Sequence, residues 1–318
     1  MFELIKKEEG NVLVLSAFAL VVLLGFAALA IDVGVILTAR SQLQNAVDAA
    51  ALAGVSGLLT SQTLATDRAI NIAGSNDCLN QPVAINAVDV TFPTSGRVQV
   101  QGRRQLNLFF ARVLGINTTN ITATAVAELS PLSGTPGLRP WAIPDLNWTL
   151  GQLVILKSGS LGAPATNPSF YYAVDYPPLN RGTPIPGANE YRDNIQDGCD
   201  GQVFVGDVLQ VEPGNMAGPT RQGVDALLSQ DPTASWSGSQ VAGSAFPGFS
   251  SPRIVKIPFY DPNFPPLPGR KSVVVIGFAA FFVEGMSGND VVGRFMKITT
   301  QGSWGAASSL IYGVKLVQ

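Results

Sequence analysis

The 318-residue chain contains no histidine. That absence removes the commonest general base, the Ser-His and Cys-His nucleophile pairs, and histidine-based zinc or iron sites. Cysteine is nearly absent as well. Cys78 and Cys199 stand far apart and in no CxxC arrangement, so metal and thiol-redox chemistry fail on ligand count. In an oxidising compartment, one disulfide joining the two halves of the chain is one reading of the pair. Two inert buried thiols is the other. Charge is scarce too. Charged residues make up 13 % of the sequence, about half of the ~25 % usual in soluble domains. The net charge of −2 gives no general pull towards nucleic acid, and Arg103-Arg104 is too small a cluster to supply one. The surface must be built from Ser, Thr, Asn, Gln and Gly, as in many exported bacterial proteins.

What the chain has instead is apolar residues, 46 % of the total, enough for a packed core. They are concentrated first in Val12 to Ile31, which holds no charge and only Ser16 and Gly25 as weak interruptions. At ~1.5 Å rise per residue this stretch spans ~30 Å, the thickness of a bilayer's hydrocarbon core. A buried core helix would carry a polar stripe, and this one carries none. Lys6 and Lys7 precede it, and the next basic residue is Arg40. The lysines place residues 1–11 in the cytoplasm, residues 12–31 across the membrane and everything from Asp32 onward outside. A competing reading uses Ala28-Leu29-Ala30 as a small-x-small cleavage site, which would release the remainder after Ala30.

From Val33 to about Leu59 the pattern becomes amphipathic. Ile36, Leu43, Val47, Ala50, Gly54 and Leu58 follow helical spacing, with Ser41, Gln44, Asn45 and Asp48 opposite. One continuous helix of over forty residues is expected. Small residues recur four apart in two rows: Ala46, Ala50, Gly54 and Ala49, Ala53, Gly57. Such rows allow close packing, either on the chain's own elements or against a partner helix.

The segment Gly10 to Gly54 resembles the N-terminal signature of TadE/TadG-like Flp pilus-assembly proteins. The residues that carry the resemblance are Gly10-Asn11, the apolar helix, Asp32-Val33-Gly34, Arg40, and Leu43 through Ala53. The runs LNLFFARVLG and ITATAVAEL extend it over the first 130 residues or so. The family implies an inner-membrane component of the tight-adherence pilus system with pilin-like architecture. Its partners would be other pilus-assembly or pilin subunits, including copies of itself. Prepilin-type cleavage between Gly10 and Asn11 belongs to that picture, yet the fifth position after Gly10 is Leu15, where pilins and TadE-type pseudopilins carry Glu. Many TadG relatives also hold a von Willebrand-type domain with an Asp-x-Ser-x-Ser metal motif, which this sequence lacks.

Beyond the helix, Leu64 to Ala73 reads as a short helix, and Ala84 to Phe92 and Arg97 to Arg103 read as strands around a Pro-Thr-Ser-Gly turn. Asn107 to Leu114 reads as a helix ended by Gly115, and Thr119 to Leu129 as a third strand. A long helix on a small antiparallel sheet, α+β and pilin-like, is the expected fold of residues 32–130. Residues 131–144, rich in Pro and Gly, read as a linker. Residues 145–318 read as a β-rich sandwich or barrel-like domain, with helices only at Glu190 to Ile195 and Thr220 to Ser229. Its strands are expected at Leu153–Leu156, Phe170–Val174, Gln202–Val211, Arg253–Phe259, Val273–Val283, Gly293–Thr299 and Leu310–Val317. The segment from 211 to 232 resembles the C-terminal part of some TadG-related proteins.

Chemistry is hard to find in this half. Asp193, Asp197 and Asp200 are weak calcium candidates, and solvated turn residues are the plainer reading. Arg221, Asp225 and Asp231 read as the solvated face of a helix. Trp141, Trp148, Tyr171, Tyr172, Phe246 and Phe249 sit in Pro- and Gly-rich stretches, as core filling or as an exposed sticky surface. No nucleophile-base pair, phosphate loop or metal cluster is visible, and no cofactor is implied. The sequence reads as a structural, non-enzymatic, membrane-anchored pilus subunit, either assembly factor or minor pilin. The alternative is a secreted, adhesin-like binding module.

Overall fold

A computed structural model describes residues 5–146, 148–158, 170–212, 216–264, 272–305 and 308–317. The chain divides into two compact units, one of residues 1–128 with 315–318 and one of residues 129–314.

The first unit is organised by α1, Ile5–Gly57. No proline interrupts these 53 residues, and alanine is frequent. After a short turn α2 follows, Gln62–Gly74, its first turn capped by Ser61, whose Oγ accepts the Leu64 N–H at 3.1 Å. Ala65, Ala69 and Ala73, four apart, are the buried residues of α2. A Cβ on Gly57 would sit 2.6 Å from Cα of Ala65, and one on Gly54 would sit 3.2 Å from Cβ of Ala69. Small residues on both helices thus set the distance between them. Ala46 and Ala50 are fully buried, and Ala49 and Ala53 are partly so.

The sheet of this unit contains β1, Val90–Thr91, β2, Arg97–Asn107, and β3, Thr118–Pro136, which runs on into the second unit. β2 and β3 are antiparallel, in register from Arg97 opposite Glu128 to Asn107 opposite Thr118. The Arg97–Glu128 ion pair at 2.8 Å closes one end of the ladder. Val98 and Val100 on β2, with Ile121, Ala123, Ala125 and Ala127 on β3, alternate into the core. α1 crosses β2 at Gly102, where a Cβ would meet Val47 Cγ1 at 2.7 Å and Leu43 Cδ1 at 3.0 Å.

Three local expectations are corrected. Of the strand expected at Ala84–Phe92, only Val90–Thr91 pairs. Residues 87–89 form a 3-10 turn, fixed by the Asn86 N–H donating to Asp89 at 2.9 Å. The helix expected at Asn107–Leu114 shrinks to a 3-10 turn at Ala111–Leu114, because β2 extends to Asn107. The expected linker 131–144 is largely strand. β3 continues to Pro136, and β4, Trp141–Pro144, is buried at every position. Pro136 and Pro144 lie where β3 and β4 end.

The second unit continues with β5, Leu153–Ser158, β6, Phe170–Asp175, α3, Ala188–Asp197, β7, Gln202–Phe204, and β8, Val208–Val211. Next come α4, Ala217–Gln230, β9, Ser235–Ser237, β10, Gln240–Ala242, and β11, Ile254–Tyr260. The last strands are β12, Ser272–Ser287, β13, Asp290–Met296, β14, Ile298–Thr299, β15, Ser303–Trp304, β16, Ser308–Ser309, and β17, Ile311–Val317. β12 is the hub, paired with β11, β13, β8 and β16. From β12 the pairing runs through β11, β4 and β6, and it returns to β12 by two routes. One is β8 alone and the other is β5 with β13, so the sheet closes into a small barrel. Both faces of β12 are buried from Gly277 to Val283. Phe278, Ala280 and Phe282 enter one apolar cluster with Tyr172, Leu209 and Tyr260. Ala279, Phe281 and Val283 enter another with Trp141, Phe295 and the helix residues Tyr191, Ile195, Val224 and Leu227. The structure is mixed α+β, a long helix and small sheet followed by a β-rich barrel.

The close crossing of α1 over β2 yields a test. Gly102→Val puts branched carbons where Val47 and Leu43 already lie, and overpacking of this kind destabilises by about 1–3 kcal/mol. The expected result is a lower thermal midpoint for the first unit, with Gly102→Ala intermediate, read by circular dichroism in detergent.

Candidate functional site

The feature without a counterpart in a soluble fold is the first half of α1. Across its most apolar stretch the mean hydropathy is 2.8 over 18 residues, and none of that stretch is covered by the rest of the chain. Leu13, Leu15, Phe18, Leu23 and Phe26 each expose more than two thirds of their surface. Each such side chain left in water forfeits about 1.5–3 kcal/mol of burial. Chain length, uniform apolarity and full exposure together fit hydrocarbon as the surrounding solvent. Gly10 and Asn11 fall within α1, near its start.

The apolar run ends at Asp32. This carboxylate is only 2 % exposed, although the helix around it is open. It accepts three backbone N–H donors, from Phe109 at 2.8 Å, Phe110 at 3.0 Å and Ala111 at 2.7 Å. An ionised carboxylate is acceptor-only with room for about four donors, and three convergent amides lock the segment between β2 and β3 onto α1. The loop itself is closed by the Leu108 N–H donating to the Asn117 carbonyl at 3.0 Å, and Gly115, at φ 80°, ends its 3-10 turn. Beside the clasp lies an apolar groove lined by Val22, Phe26 and Leu29 of α1 and by Phe110 and Val113 of the loop. In the sequence Asp32 stands out only as the end of the apolar run and as part of the Asp32-Val33-Gly34 step. Its place as the first ionisable group after twenty apolar ones was the available signal, but its donors lie almost eighty residues away.

The small-residue rows are occupied within the chain. Gly54 and Gly57 face α2, and Gly54 also meets Val98. Cys78 and Cys199 are both free and buried. Cys78 donates to the Ala39 carbonyl at 3.4 Å, inside the first unit's core. Cys199 sits in an apolar cluster of the second, where burial pushes its thiol up to about 11. Each thiol fills space in its own unit's interior.

The acidic candidates do not converge. Asp193 pairs with its neighbour Arg192 at 2.9 Å, Asp197 ends α3, and Asp200 lies exposed in the following turn. Among the described residues no group of three His, Cys, Asp or Glu is placed to hold a metal ion. The aromatics divide. Trp141, Tyr171 and Tyr172 are buried, Trp148 and Phe249 are partly so, and Phe246 is exposed. Trp141 Nε1 donates to Tyr191 Oη at 3.0 Å, tying β4 to α3.

Two buried polar arrangements were not foreseen. Asp231, expected on a solvated helix face, is wholly buried just past the end of α4. Ser244 and Ser251 hydroxyls donate to it at 2.6 Å each, and the Ala245 N–H donates at 3.2 Å. Burial pushes its carboxyl up, but these donors and the Arg253 charge outweigh that and hold it below the ordinary value. Arg253 donates to the carbonyls of Asp231, Ala234, Val283 and Glu284 and lies over the Phe282 ring at 4.9 Å. Asp175 and Glu212 are the second arrangement, both buried, with Glu212 accepting the Gly187 N–H at 2.8 Å. Burial first, and the neighbouring Glu212 second, push the Asp175 carboxyl up to about 7.

Residues 10–57 match a family model described as putative Flp pilus-assembly TadE/G-like. The match covers the exposed apolar helix, Asp32 and the small-residue rows, and ends with α1. It is narrower than the 130 residues over which resemblance was read. Neither a curated protein nor a solved structure matches the chain.

Two predictions follow from these geometries. Asp32→Ala orphans three amides, at about 1–3 kcal/mol for each buried unsatisfied group. Hydrogen exchange of the Phe109, Phe110 and Ala111 amides is then expected to accelerate at least tenfold, while exchange in β12 stays unchanged. For Asp175 the folded state holds its proton more tightly than the unfolded chain does. Its contribution to stability is therefore full below pH ~4 and is lost as pH rises towards 7. Asp175→Asn is expected to match the parent near pH 4 and to exceed it by about 1–2 kcal/mol above pH 7, measured by urea unfolding of the second unit's tryptophan signal.

Proposed function

We propose that the chain is a structural, non-catalytic subunit of a Flp/Tad-type pilus apparatus, held in the inner membrane by the first half of α1. The N-terminus with Lys6 and Lys7 lies in the cytoplasm, and residues 32–318 lie on the far side. The observation that carries this reading is a coincidence of two features. The 20-residue apolar surface left uncovered lies within the residues that match the pilus-assembly family.

Between the two versions of this role, the features favour an assembly factor retained in the membrane over a minor pilin. Leu15 stands where a Glu would tether neighbouring pilin helices, so the span offers no carboxylate for that purpose. The small-residue rows are engaged by α2 and β2.

Fractionation of native cells, followed by intact mass and N-terminal sequencing, tests the reading. The expected result is a full-length chain that resists alkaline extraction from the inner membrane and is absent from sheared surface material. A chain starting at Asn11 in the sheared fraction would replace the assembly factor with a pilin. A soluble chain starting at Ile31 would sink the anchor altogether.

A further inference from the structure

We infer that the loop between β2 and β3 is a second membrane contact, entering the lipid leaflet distal to the N-terminus alongside the anchor helix. This inference rests on the anchor being in lipid. The loop is apolar where a soluble protein would be polar: Phe109, Phe110, Val113 and Ile116 are exposed at 64, 43, 89 and 51 %. The position of this patch is specific. Asp32 clasps its backbone at the end of the apolar run. Phe110 and Val113 share a groove with Leu29, Phe26 and Val22. Val22 lies ten residues before Asp32, so the groove reaches roughly 15 Å along the helix axis towards the middle of the span. Whatever solvent surrounds Phe26 therefore also reaches the loop.

A backbone segment tolerates hydrocarbon only when its polar groups are satisfied internally. Seven N–H groups of this loop are paired within the chain. The N–H of Leu108 donates to Asn117, and those of Phe109, Phe110 and Ala111 donate to Asp32. The N–H groups of Val113, Gly115 and Ile116 donate to Phe110, Arg112 and Ala111 carbonyls at 3.0–3.1 Å. Arg112, exposed between the apolar side chains, has a stem long enough to run along them and place its guanidinium among lipid phosphates. Such internal pairing is optional for a loop in water and required of one that enters hydrocarbon. Two contacts, helix and loop, fix the rotation of the first unit about the helix axis, which a single helix leaves free.

The test uses the full-length chain in vesicles of phosphatidylethanolamine and phosphatidylglycerol, with an environment-sensitive fluorophore on one introduced cysteine. Val113→Cys reports the loop, Leu20→Cys the anchor, and Ser95→Cys an exposed turn away from both. The native cysteines are buried, and parent protein treated identically sets the background. The expected result is that brominated acyl chains quench the Val113 probe as they quench the Leu20 probe, while aqueous iodide quenches only Ser95. If Leu20 is quenched by bromolipid and Val113 behaves like Ser95, the loop contact is refuted and the anchor stands. If Val113 is shielded from both quenchers, a protein helix fills the groove and lipid does not, which also refutes it. If Leu20 itself escapes bromolipid, the anchor and the loop contact fall together.

Discussion

An α-helix satisfies its own backbone, so it can pass from hydrocarbon into a protein core without a break. It cannot carry one side-chain pattern through both environments. α1 must therefore change its surface within one or two turns, and Asp32 marks the change. Before it every side chain from Val12 is free to meet lipid. After it Leu43, Val47 and Ala50 turn inward against the chain's own sheet and second helix. A buried carboxylate at such a junction is costly unless its acceptors are filled, and three amides from one short loop fill them. The loop's conformation, the end of β2 and the groove beside the helix all depend on this clasp.

The second unit uses its few charges differently. Arg253 is buried, and its guanidinium links the turn after α4 to the far edge of β12 through four carbonyls. Asp231 gathers the loop at 244–251 through two hydroxyls and an amide. Buried ionic groups are weak sources of net stability, but removing one partner leaves the other exposed to the low dielectric. Their effect here is to specify which irregular loop lies against which strand. A barrel with long Pro- and Gly-rich connections has little else to fix them, because loop backbone carries no ladder of its own.

How much of this was legible in the sequence depended on the range of the interaction. α1, α2 and α4 came from period and composition, and β12 from an uninterrupted apolar run, because these signals are local. The expected strand Gln202–Val211 is two strands, β7 and β8, parted at Gly206 with φ 93°, a conformation that β-branched neighbours do not announce. Pro- and Gly-rich residues 131–144 looked like a join but form the end of β3 and the buried β4, whose partners β6 and β11 lie 30 and more than 100 residues on. The clasp at Asp32 was not legible because its donors are distant in sequence, and Asp231 reads as solvated because its donors belong to a loop. Barrel closure was legible only as a class, since the two routes from β6 back to β12 rest on non-local pairing.

The anchor's composition also constrains what can assemble with it. Within the span no charged or strongly polar side chain is available from Val12 to Ile31. Contacts between such a helix and another in the membrane must come from packing and shape, which need close approach of small residues. Yet the small rows lie beyond Asp32 and are engaged by α2, and within the span no two of the small residues Ser16, Ala17, Ala19, Gly25, Ala27, Ala28 and Ala30 stand four apart. Apolar helices without such rows associate poorly in lipid, where hydrocarbon neighbours are as good as leucine. By composition the span is thus better suited to holding the chain in place than to recognising a partner helix.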